Sequence, residues 1–332
     1  MKNIINTFVY IMLLTALFYT SNTFAQNSGY KVIGKIDIGG EGWWDYCAVD
    51  VPMHRLYVSH GTRVHVVDLT TNKVIGEIPN LNGVHGIAFA DEFGKGFISN
   101  GRSDTVTVFD LKTLKTLGSI PVTGKNPDAI VYDPFTKRIF TMNGRSSNAT
   151  AIDAKTSQVV GTIALDGKPE FCVSNNKGLM YVNIENKSKI QEFNPKTLEV
   201  IHTWSIAPGE SPSGLAFDIK NNILFSGCDN KMMAIVNVNT GKEITTMPIG
   251  GGVDACGFDP ETNFAFSSNG EGTLTVIKEI SPQEFKVVDN IPTSKSMRTM
   301  TLDPATHNIY LIGRMEGKDN QQSFGVLMLG RK

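Results

Sequence analysis

The stretch "DAIVYDPFTKRIFTMNGRSSNATAIDAKTSQVVGTI", from Asp128 to Ile163, decides the fold. It contains four short runs rich in apolar and β-branched residues, which are DAIVYD, RIFTM, NATAID and VVGTI. Turn sequences such as DPFTK and AKTSQ separate them, and Pro, Asp, Asn and Gly suit reverse turns for backbone reasons. The stretch therefore predicts four consecutive antiparallel strands joined by tight connections.

This four-stranded unit occurs seven times along the chain. The first strand of each copy recurs at intervals of 40 to 44 residues, as DYCAVD from Asp45, HGIAFA from His85, DAIVYD from Asp128, EFCVSN from Glu170, SGLAFD from Ser213, DACGFD from Asp254 and RTMTLD from Arg298. A repeat of this length, with four strands in each copy, is typical of a β-propeller. We therefore predict an all-β fold, a seven-bladed β-propeller of four-stranded antiparallel blades.

The last copy lacks a fourth strand, because the sequence ends soon after FGVLMLG. The missing strand is predicted at the other end of the propeller, where KVIGKI (Lys31–Ile36) matches KVIGEI (Lys73–Ile78), the fourth strand of the first blade. The N-terminal strand should therefore close the last blade and leave no free edge in the ring. One propeller domain is predicted to span residues 27–332.

Residues 1–25 have the features of a cleavable signal peptide. Lys2 is followed by an apolar run from Phe8 to Thr20, and Thr23 and Ala25 are small residues at the positions that signal peptidase requires. No later stretch has the length and apolar character needed to cross a bilayer. We expect a periplasmic or secreted protein without a membrane span.

The net charge and the positions of the cysteines bear on nucleic-acid binding and on disulfide bonds. The chain has 31 basic and 32 acidic residues and a formal net charge of −1, which does not favour nucleic acid as a partner. Cys47, Cys172 and Cys256 occupy the same position in blades one, four and six, which are not mutual neighbours. Only Cys228 could pair with Cys256, and buried free thiols are the favoured interpretation.

One face of the propeller has the richer loops. The links into the first strands and the links after the second strands lie on the same face and carry charged and aromatic residues, whereas the opposite turns are ordinary ones such as DPFTK and LKTL. Function usually resides on loops that a rigid scaffold holds. The ligand-binding residues predicted on this face are Trp44, Asp45, His60, His85, Asn100, Arg102, Asp128, Asn143, Arg145, Glu170, Glu185, Asp254, Asn269 and Arg298. Trp43, Asp229, Glu271 and Arg314 belong to the same rim.

Residues that enter the first strands should converge on the propeller axis. Four of them are candidate ligands for one divalent cation: Asp45, Asp128, Glu170 and Asp254. Carboxylates so placed repel one another unless a cation, or a neighbour such as Arg298, compensates their charge. Oxygen ligands suit Ca²⁺, whereas His60 and His85 would allow a transition metal. These two histidines are also the candidate catalytic bases.

Several rim residues have two interpretations. The Asn-Gly pairs at Asn100, Asn143 and Asn269 suit turns with positive φ, or they contact a ligand. Two arginines, Arg102 and Arg145, either pair with acidic residues of the adjacent blade or bind an anionic group. The Trp43-Trp44 pair either covers the seam between blades seven and one or stacks on a planar ligand.

The second strands resemble a known repeat. YVSH (Tyr57–His60), FISN (Phe97–Asn100), FTMN (Phe140–Asn143) and FSSN (Phe266–Asn269) are similar to the YVTN repeat of the YncE-like seven-bladed propellers. The resemblance covers the whole chain after the signal peptide, although blades four and five depart from it with YVNIENKS and FSGCDN. It implies an exported, monomeric propeller, and related repeats also occur in lactonases and in propeller subunits of redox enzymes.

Motifs of nucleophilic, phosphate-binding, dinucleotide, haem or zinc-protease chemistry do not occur in the sequence. The first hypothesis is therefore a binding or interaction module that presents its loop-rich face to a small polar ligand or an envelope protein. The alternative is a metal-assisted, lactonase-like hydrolase with an axial carboxylate and histidine site. A structural subunit of an envelope complex is the third.

Overall fold

The computed structural model describes residues 27–316 and 322–331, so the predicted signal peptide at residues 1–25 lies outside the described residues. The described residues form twenty-eight strands in seven four-stranded antiparallel sheets. The prediction of a seven-bladed β-propeller is confirmed. Two single turns of 3₁₀-helix, Asp91–Phe93 and Glu185–Lys187, each connect two consecutive strands.

Strands are numbered along the chain, and the N-terminal one is β1 (Tyr30–Asp37). Blade one contains β2 (Cys47–Asp50), β3 (Arg55–His60), β4 (Arg63–Asp68) and β5 (Lys73–Ile78). Blade two contains β6 (Val84–Ala90), β7 (Lys95–Asn100), β8 (Thr105–Asp110) and β9 (Thr116–Pro121). Blade three contains β10 (Pro127–Asp133), β11 (Arg138–Asn143), β12 (Asn148–Asp153) and β13 (Gln158–Ala164).

The remaining blades follow the same order. Blade four contains β14 (Pro169–Ser174), β15 (Met180–Ile184), β16 (Lys189–Asn194) and β17 (Glu199–Ser205). Blade five contains β18 (Pro212–Asp218), β19 (Ile223–Cys228), β20 (Met232–Asn237) and β21 (Lys242–Pro248). Blade six contains β22 (Val253–Asp259), β23 (Phe264–Asn269), β24 (Thr273–Ser281) and β25 (Glu284–Pro292). Blade seven contains β26 (Thr299–Leu302), β27 (Ile309–Glu316) and β28 (Gln322–Arg331).

Blade seven is completed by the N-terminal strand. β1 pairs antiparallel with β28, from Tyr30 opposite Arg331 to Asp37 opposite Gly325. The sheet order is β1, β28, β27, β26, so β1 is the outermost strand. This confirms the closure predicted from the match between KVIGKI and KVIGEI. In residues 27–316 and 322–331, no helix is long and apolar enough to cross a membrane.

The hydrophobic core is divided among the seams between blades. At the seam between blades five and six, Phe225 is fully buried and stacks on Phe258 with ring centroids 5.1 Å apart. Near the axis the inner strands approach closely, and a Cβ atom at Gly214 would lie only 2.5 Å from the backbone nitrogen of Cys256. Small residues thus bring the first strands together and place the residues at their entry ends around one axial space. The four cysteines are buried free thiols.

Candidate functional site

A cavity of about 720 Å³ opens on the axis, at the face where the first strands begin. Its charged lining residues are Asp45, His85, Asp128, Lys168, Glu170, Glu185, Asp229, Asp254 and Arg298. Three of them lie on links into first strands: Asp45, Lys168 and Arg298. Four are the second residues of β6, β10, β14 and β22, in that order His85, Asp128, Glu170 and Asp254, whereas Glu185 and Asp229 follow the second strands of blades four and five. Six carboxylates therefore face two permanent cations and one imidazole.

Asp45, His85 and Asp128 form the tightest cluster in this cavity. The Nδ1 atom of His85 is hydrogen-bonded to the Asp45 carboxylate and lies 3.5 Å from Oδ1 of Asp128. One side-chain donor atom from each of the three residues lies within 4.8 Å of the others. The indole of Trp43 covers His85 at a centroid distance of 5.3 Å. Two oxygens and one nitrogen thus converge, and an aromatic side chain packs against the histidine of this cluster.

The other carboxylates have their own partners. Lys168 joins two carboxylates of blade four, because its Nζ lies 2.7 Å from Oε1 of Glu170 and also contacts the carboxylate of Glu185. Across the cavity, Nε of Arg298 lies 3.0 Å from Oδ2 of Asp254. Arg298 therefore compensates one carboxylate of the ring, which was one of the two alternatives left open by the sequence.

The pKa values of the cavity's carboxyl groups reflect their burial and their mutual repulsion. Burial, together with Asp45, raises the pKa of Asp128 to about 7, and burial with Asp128 raises the pKa of Glu170 to about 8. Burial and Asp45 raise the pKa of Asp254 to about 6. Burial disfavours a charge on His85, but the hydrogen bond to Asp45 and the charge of Asp128 outweigh it and raise its pKa. The cavity therefore favours positive charge.

Sequence reasoning missed Lys168 and Tyr46. Lys168 belongs to the link DGKPE (Asp166–Glu170), and its position two residues before Glu170 offered a signal. Tyr46 lines the cavity and packs on Phe171 across the axis, with ring centroids 5.6 Å apart. It also lines a second axial cavity of about 380 Å³ among the first strands. Its neighbour Asp45 was selected for its charge, and no pattern in the sequence marked the tyrosine.

Of the two candidate bases, His85 lines the cavity and His60 lies in the seam between blades seven and one. His60 is only 3% exposed and stacks on Phe324 with ring centroids 4.1 Å apart. Its Nδ1 atom lies 3.2 Å from Nε2 of His65. Burial and the neighbouring cationic groups lower the pKa of His60 to about 4, so its imidazole is neutral at neutral pH.

The three rim asparagines bind within their own blades. Each side-chain Nδ2 donates to a threonine hydroxyl on the neighbouring strand, at 2.9 to 3.0 Å, in the pairs Asn100–Thr107, Asn143–Thr150 and Asn269–Thr275. Positive φ in these turns falls later, at Asp104, Ser147 and Gly272. The asparagines are buried and support the hairpins through their side chains rather than through left-handed backbone.

Three rim arginines lie against aromatic or acidic side chains. The guanidinium of Arg102 lies 5.8 Å from the Trp43 ring centroid, and that of Arg314 lies 5.9 Å from the Trp44 centroid. Trp44 packs on Phe324 of blade seven at 5.5 Å and covers the seam, while also lining the cavity. Arg145 is close enough to Asp104 to lower the pKa of that carboxyl, after the stronger effect of Lys125.

Glu271, the other rim carboxylate, lies 3.7 Å from the ammonium of Lys231. It is absent from the lining of the axial cavity. Only some of the predicted residues therefore line the cavity. Asp45, His85, Asp128, Glu170 and Asp254 are among its lining residues, whereas the three asparagines and His60 are buried within the blades.

Comparison with known proteins supports the fold. No protein-family model matches the chain, and no curated protein matches its sequence. Among solved structures, the chain is similar to one in "Kuenenia stuttgartiensis Hydrazine Synthase", with a TM-score of 0.74 and 15% sequence identity. The match covers 88% of this chain and 98% of that chain. At this identity the likeness supports a shared β-propeller fold and transfers no residue roles.

Proposed function

We propose that this protein is a binding module that holds a divalent cation in its axial cavity and, through that ion, a small polar ligand. The observation that carries the proposal is the convergence of Asp45, His85 and Asp128, whose donor atoms lie within 4.8 Å of one another. Three protein ligands leave coordination positions free for water or a ligand atom, as in open metal sites. The cavity of about 720 Å³ has room for such a ligand.

The charge of the cavity supports a cation as the first occupant. Three carboxyl groups, Asp128, Glu170 and Asp254, have raised pKa values because burial and mutual repulsion disfavour their charged forms. A divalent ion would relieve this repulsion. A donor set of two carboxylates and one imidazole suits Zn²⁺ or Mn²⁺ better than Ca²⁺, which prefers oxygen ligands alone.

Lys168 and Arg298 would orient the second ligand. Both line the cavity, and both already bind carboxylates, so an anionic group on the ligand would compete for the same donors. Trp43 packs against His85 and would limit the access of water to an ion held there. We therefore expect a small ligand with a carboxylate, hydroxyl or carbonyl oxygen that reaches the metal.

The test is the binding of Zn²⁺, Mn²⁺ and Ca²⁺ to metal-free protein, measured by isothermal titration calorimetry and by metal content after dialysis. Asp128→Asn should weaken the binding of the preferred ion at least 10-fold. Asp229→Asn is the matched control, because Asp229 lines the same cavity outside the three-residue cluster. Equal losses in the two variants would show that only the general acidity of the cavity matters. No binding in the unmodified protein would refute the proposal.

A second candidate function is metal-assisted hydrolysis of a lactone-like substrate. The observation that favours it is the raised pKa of Glu170, about 8, inside the same cavity. A carboxyl group that titrates near neutral pH can accept and return a proton during hydrolysis. Turnover of a lactone panel by metal-loaded protein, lost in Glu170→Gln with metal binding retained, would favour the enzyme. Absence of turnover alongside stoichiometric metal would favour the binding module.

The cellular setting is also part of the proposal. The sequence features of residues 1–25 support export to the periplasm or the medium, and the second-strand motifs support a YncE-like propeller. In that setting an envelope protein could also approach the loop-rich face. Cell fractionation with an antibody to the mature chain tests export, and cross-linking in envelope extracts tests for such a partner.

A further inference from the structure

The face opposite the axial cavity joins neighbouring blades through aspartates at the ends of first strands. Asp133 ends β10, and its Oδ1 accepts a hydrogen bond of 2.6 Å from the hydroxyl of Ser174 in blade four. Asp259 ends β22, and its Oδ2 lies 3.0 Å from Nδ1 of His307 in blade seven. In both seams, the following blade supplies a side chain that binds this aspartate.

At the seam between blades five and six, the partner is another carboxyl group. Asp218 ends β18 and contacts Glu279 of β24. The backbone N–H of Glu279 bonds to Asn263 in the turn of its own blade, and four other blades make the same bond with an apolar residue at this position: Leu69, Leu111, Ala154 and Val238. Blade six thus places a carboxyl where most blades have an apolar side chain.

Both carboxyl groups are buried, and each has one oxygen without a donor. Asp218 is 2% exposed and Glu279 is 3% exposed. The N–H of Lys220 donates to Oδ1 of Asp218 at 3.0 Å, and Nδ2 of Asn221 donates to Oε1 of Glu279 at 2.7 Å. The other oxygens, Oδ2 of Asp218 and Oε2 of Glu279, are buried without a hydrogen-bond donor. A single proton placed between them would satisfy both.

We propose that Glu279 is a neutral carboxylic acid whose O–H donates to Asp218, so that a pH-sensitive hydrogen bond ties blade six to blade five. Glu279 then has the role that Ser174 and His307 have at their seams. When Glu279 loses its proton, two buried carboxylates face each other. Among the described residues, Lys220 is the cation that faces this pair, and one lysine cannot neutralise two buried charges. The seam should therefore weaken as the proton leaves.

A metal ion is the other way to reconcile two buried carboxylates, and the local geometry disfavours it. Hard cations such as Ca²⁺ take six to eight oxygen ligands. Here two oxygens are free, and Asn221 presents its N–H group rather than its carbonyl to Glu279. A proton needs only the two oxygens that are available.

The direction of the pH effect follows from the environment of Glu279. Burial is the largest influence on its pKa, which is raised from 4.5 to about 7, with Asp218 adding to the rise and Asn221 opposing it. Between pH 4.5 and about 7, the folded protein keeps a proton that the unfolded chain has released. The stability from this group is therefore complete below pH 4.5 and is lost as the pH rises through about 7.

The experiment compares the unmodified protein with Glu279→Gln, whose amide can still donate to Asp218 but does not titrate. Glu284→Gln, an exposed carboxyl in the same blade, is the matched control. Near pH 6 the infrared difference spectrum, unmodified protein minus variant, should contain a C=O band of a protonated carboxylic acid for Glu279→Gln and none for Glu284→Gln. Asp128 and Glu170, whose pKa values are also raised, contribute equally to both spectra and cancel. From pH 5 to 8, Glu279 should raise the unfolding equilibrium constant about 70-fold, and this contribution should vanish in Glu279→Gln.

Asp218→Asn provides a second test if Glu279→Gln does not fold. Without the Asp218 charge, Glu279 should ionise more readily, so the part of the C=O band that belongs to Glu279 should disappear at a lower pH than in the unmodified protein. An unchanged band in Glu279→Gln would overturn the proposal. The same holds for a pH dependence of unfolding identical to that of the unmodified protein, or for an unshifted band in Asp218→Asn.

Discussion

Replacing Asp128 by Asn should make the metal-free protein more stable at alkaline pH. The side chain of Asp128 is only 16% exposed, and burial with the charge of Asp45 raises its pKa from 3.8 to about 7. The folded protein therefore resists the ionisation that the unfolded chain undergoes freely. Stability from this carboxyl is complete below pH 3.8, falls as the pH rises, and reaches its minimum above about pH 7.

The magnitude follows from the size of the pKa shift. A shift from 3.8 to about 7 corresponds to a cost of about 4 kcal/mol at pH 8, at 1.36 kcal/mol per unit. An asparagine imitates the neutral form and avoids this cost. The attraction of His85, 3.5 Å away, is already contained in this net shift, because His85 lowers the pKa of Asp128. The gain at pH 8 should therefore be about 4 kcal/mol, or about 6 °C in Tm for a domain of this size.

Urea unfolding with EDTA present, at pH 8 and at pH 5, measures this effect. The gain should fall to about 2 kcal/mol at pH 5, where the folded protein keeps Asp128 protonated. Asp68→Asn is a useful contrast, because hydrogen bonds from Thr71 lower the pKa of that exposed carboxyl and its loss should destabilise the protein at pH 8. If Asp128→Asn is less stable than the unmodified protein at pH 8, the electrostatic reasoning is wrong.

The same variant separates stability from binding. An ion at 100 times its Kd stabilises the folded state by about 2.7 kcal/mol. Zn²⁺ at this concentration should therefore stabilise the unmodified protein by more than Asp128→Asn, which narrows the difference in stability between them. A carboxylate retained at a cost to stability is typical of functional sites.

Two further predictions concern the scaffold. Phe225→Ala should cost about 3–5 kcal/mol in urea unfolding, because Phe225 is fully buried against Phe258 in the seam between blades five and six; a loss below about 1 kcal/mol would contradict this packing. Gly214→Ala should prevent stable folding, because its Cβ would lie 2.5 Å from the backbone nitrogen of Cys256, whereas Gly118→Ala, with open space around the new methyl, should change Tm by less than about 2 °C. Circular dichroism melts compare the two glycine variants, and equal effects would refute the account of crowding at the axis.

The fold could be predicted from the sequence because the propeller is periodic. Seven copies of one pattern fix the number of blades, and the match of Lys31–Ile36 to Lys73–Ile78 fixes the closure. Each blade repeats the same pattern of turns and strands, so a strand that is wrongly assigned in one copy can be corrected from the equivalent strands of the others.

The site could be predicted only in part, because periodicity gives the end of a strand but not the direction of a side chain. Asp45 and Asp128 were selected by position, and both line the cavity. His60 also lies at the end of a strand, as the last residue of β3, yet its ring packs on Phe324. Lys168 was missed because its role depends on contacts with Glu170 and Glu185, which no repeat pattern encodes.

The closure of blade seven also has a consequence for the order of folding. β1 is synthesised first and finds its partner β28 last, after the six intervening blades have been made. Bringing these strands together costs about 2 kcal/mol more chain entropy than closing one blade of about 40 residues. Until then the outer edge of β28 stays unpaired and open to another chain. The protein is therefore most prone to misassembly in the interval before β1 pairs with β28.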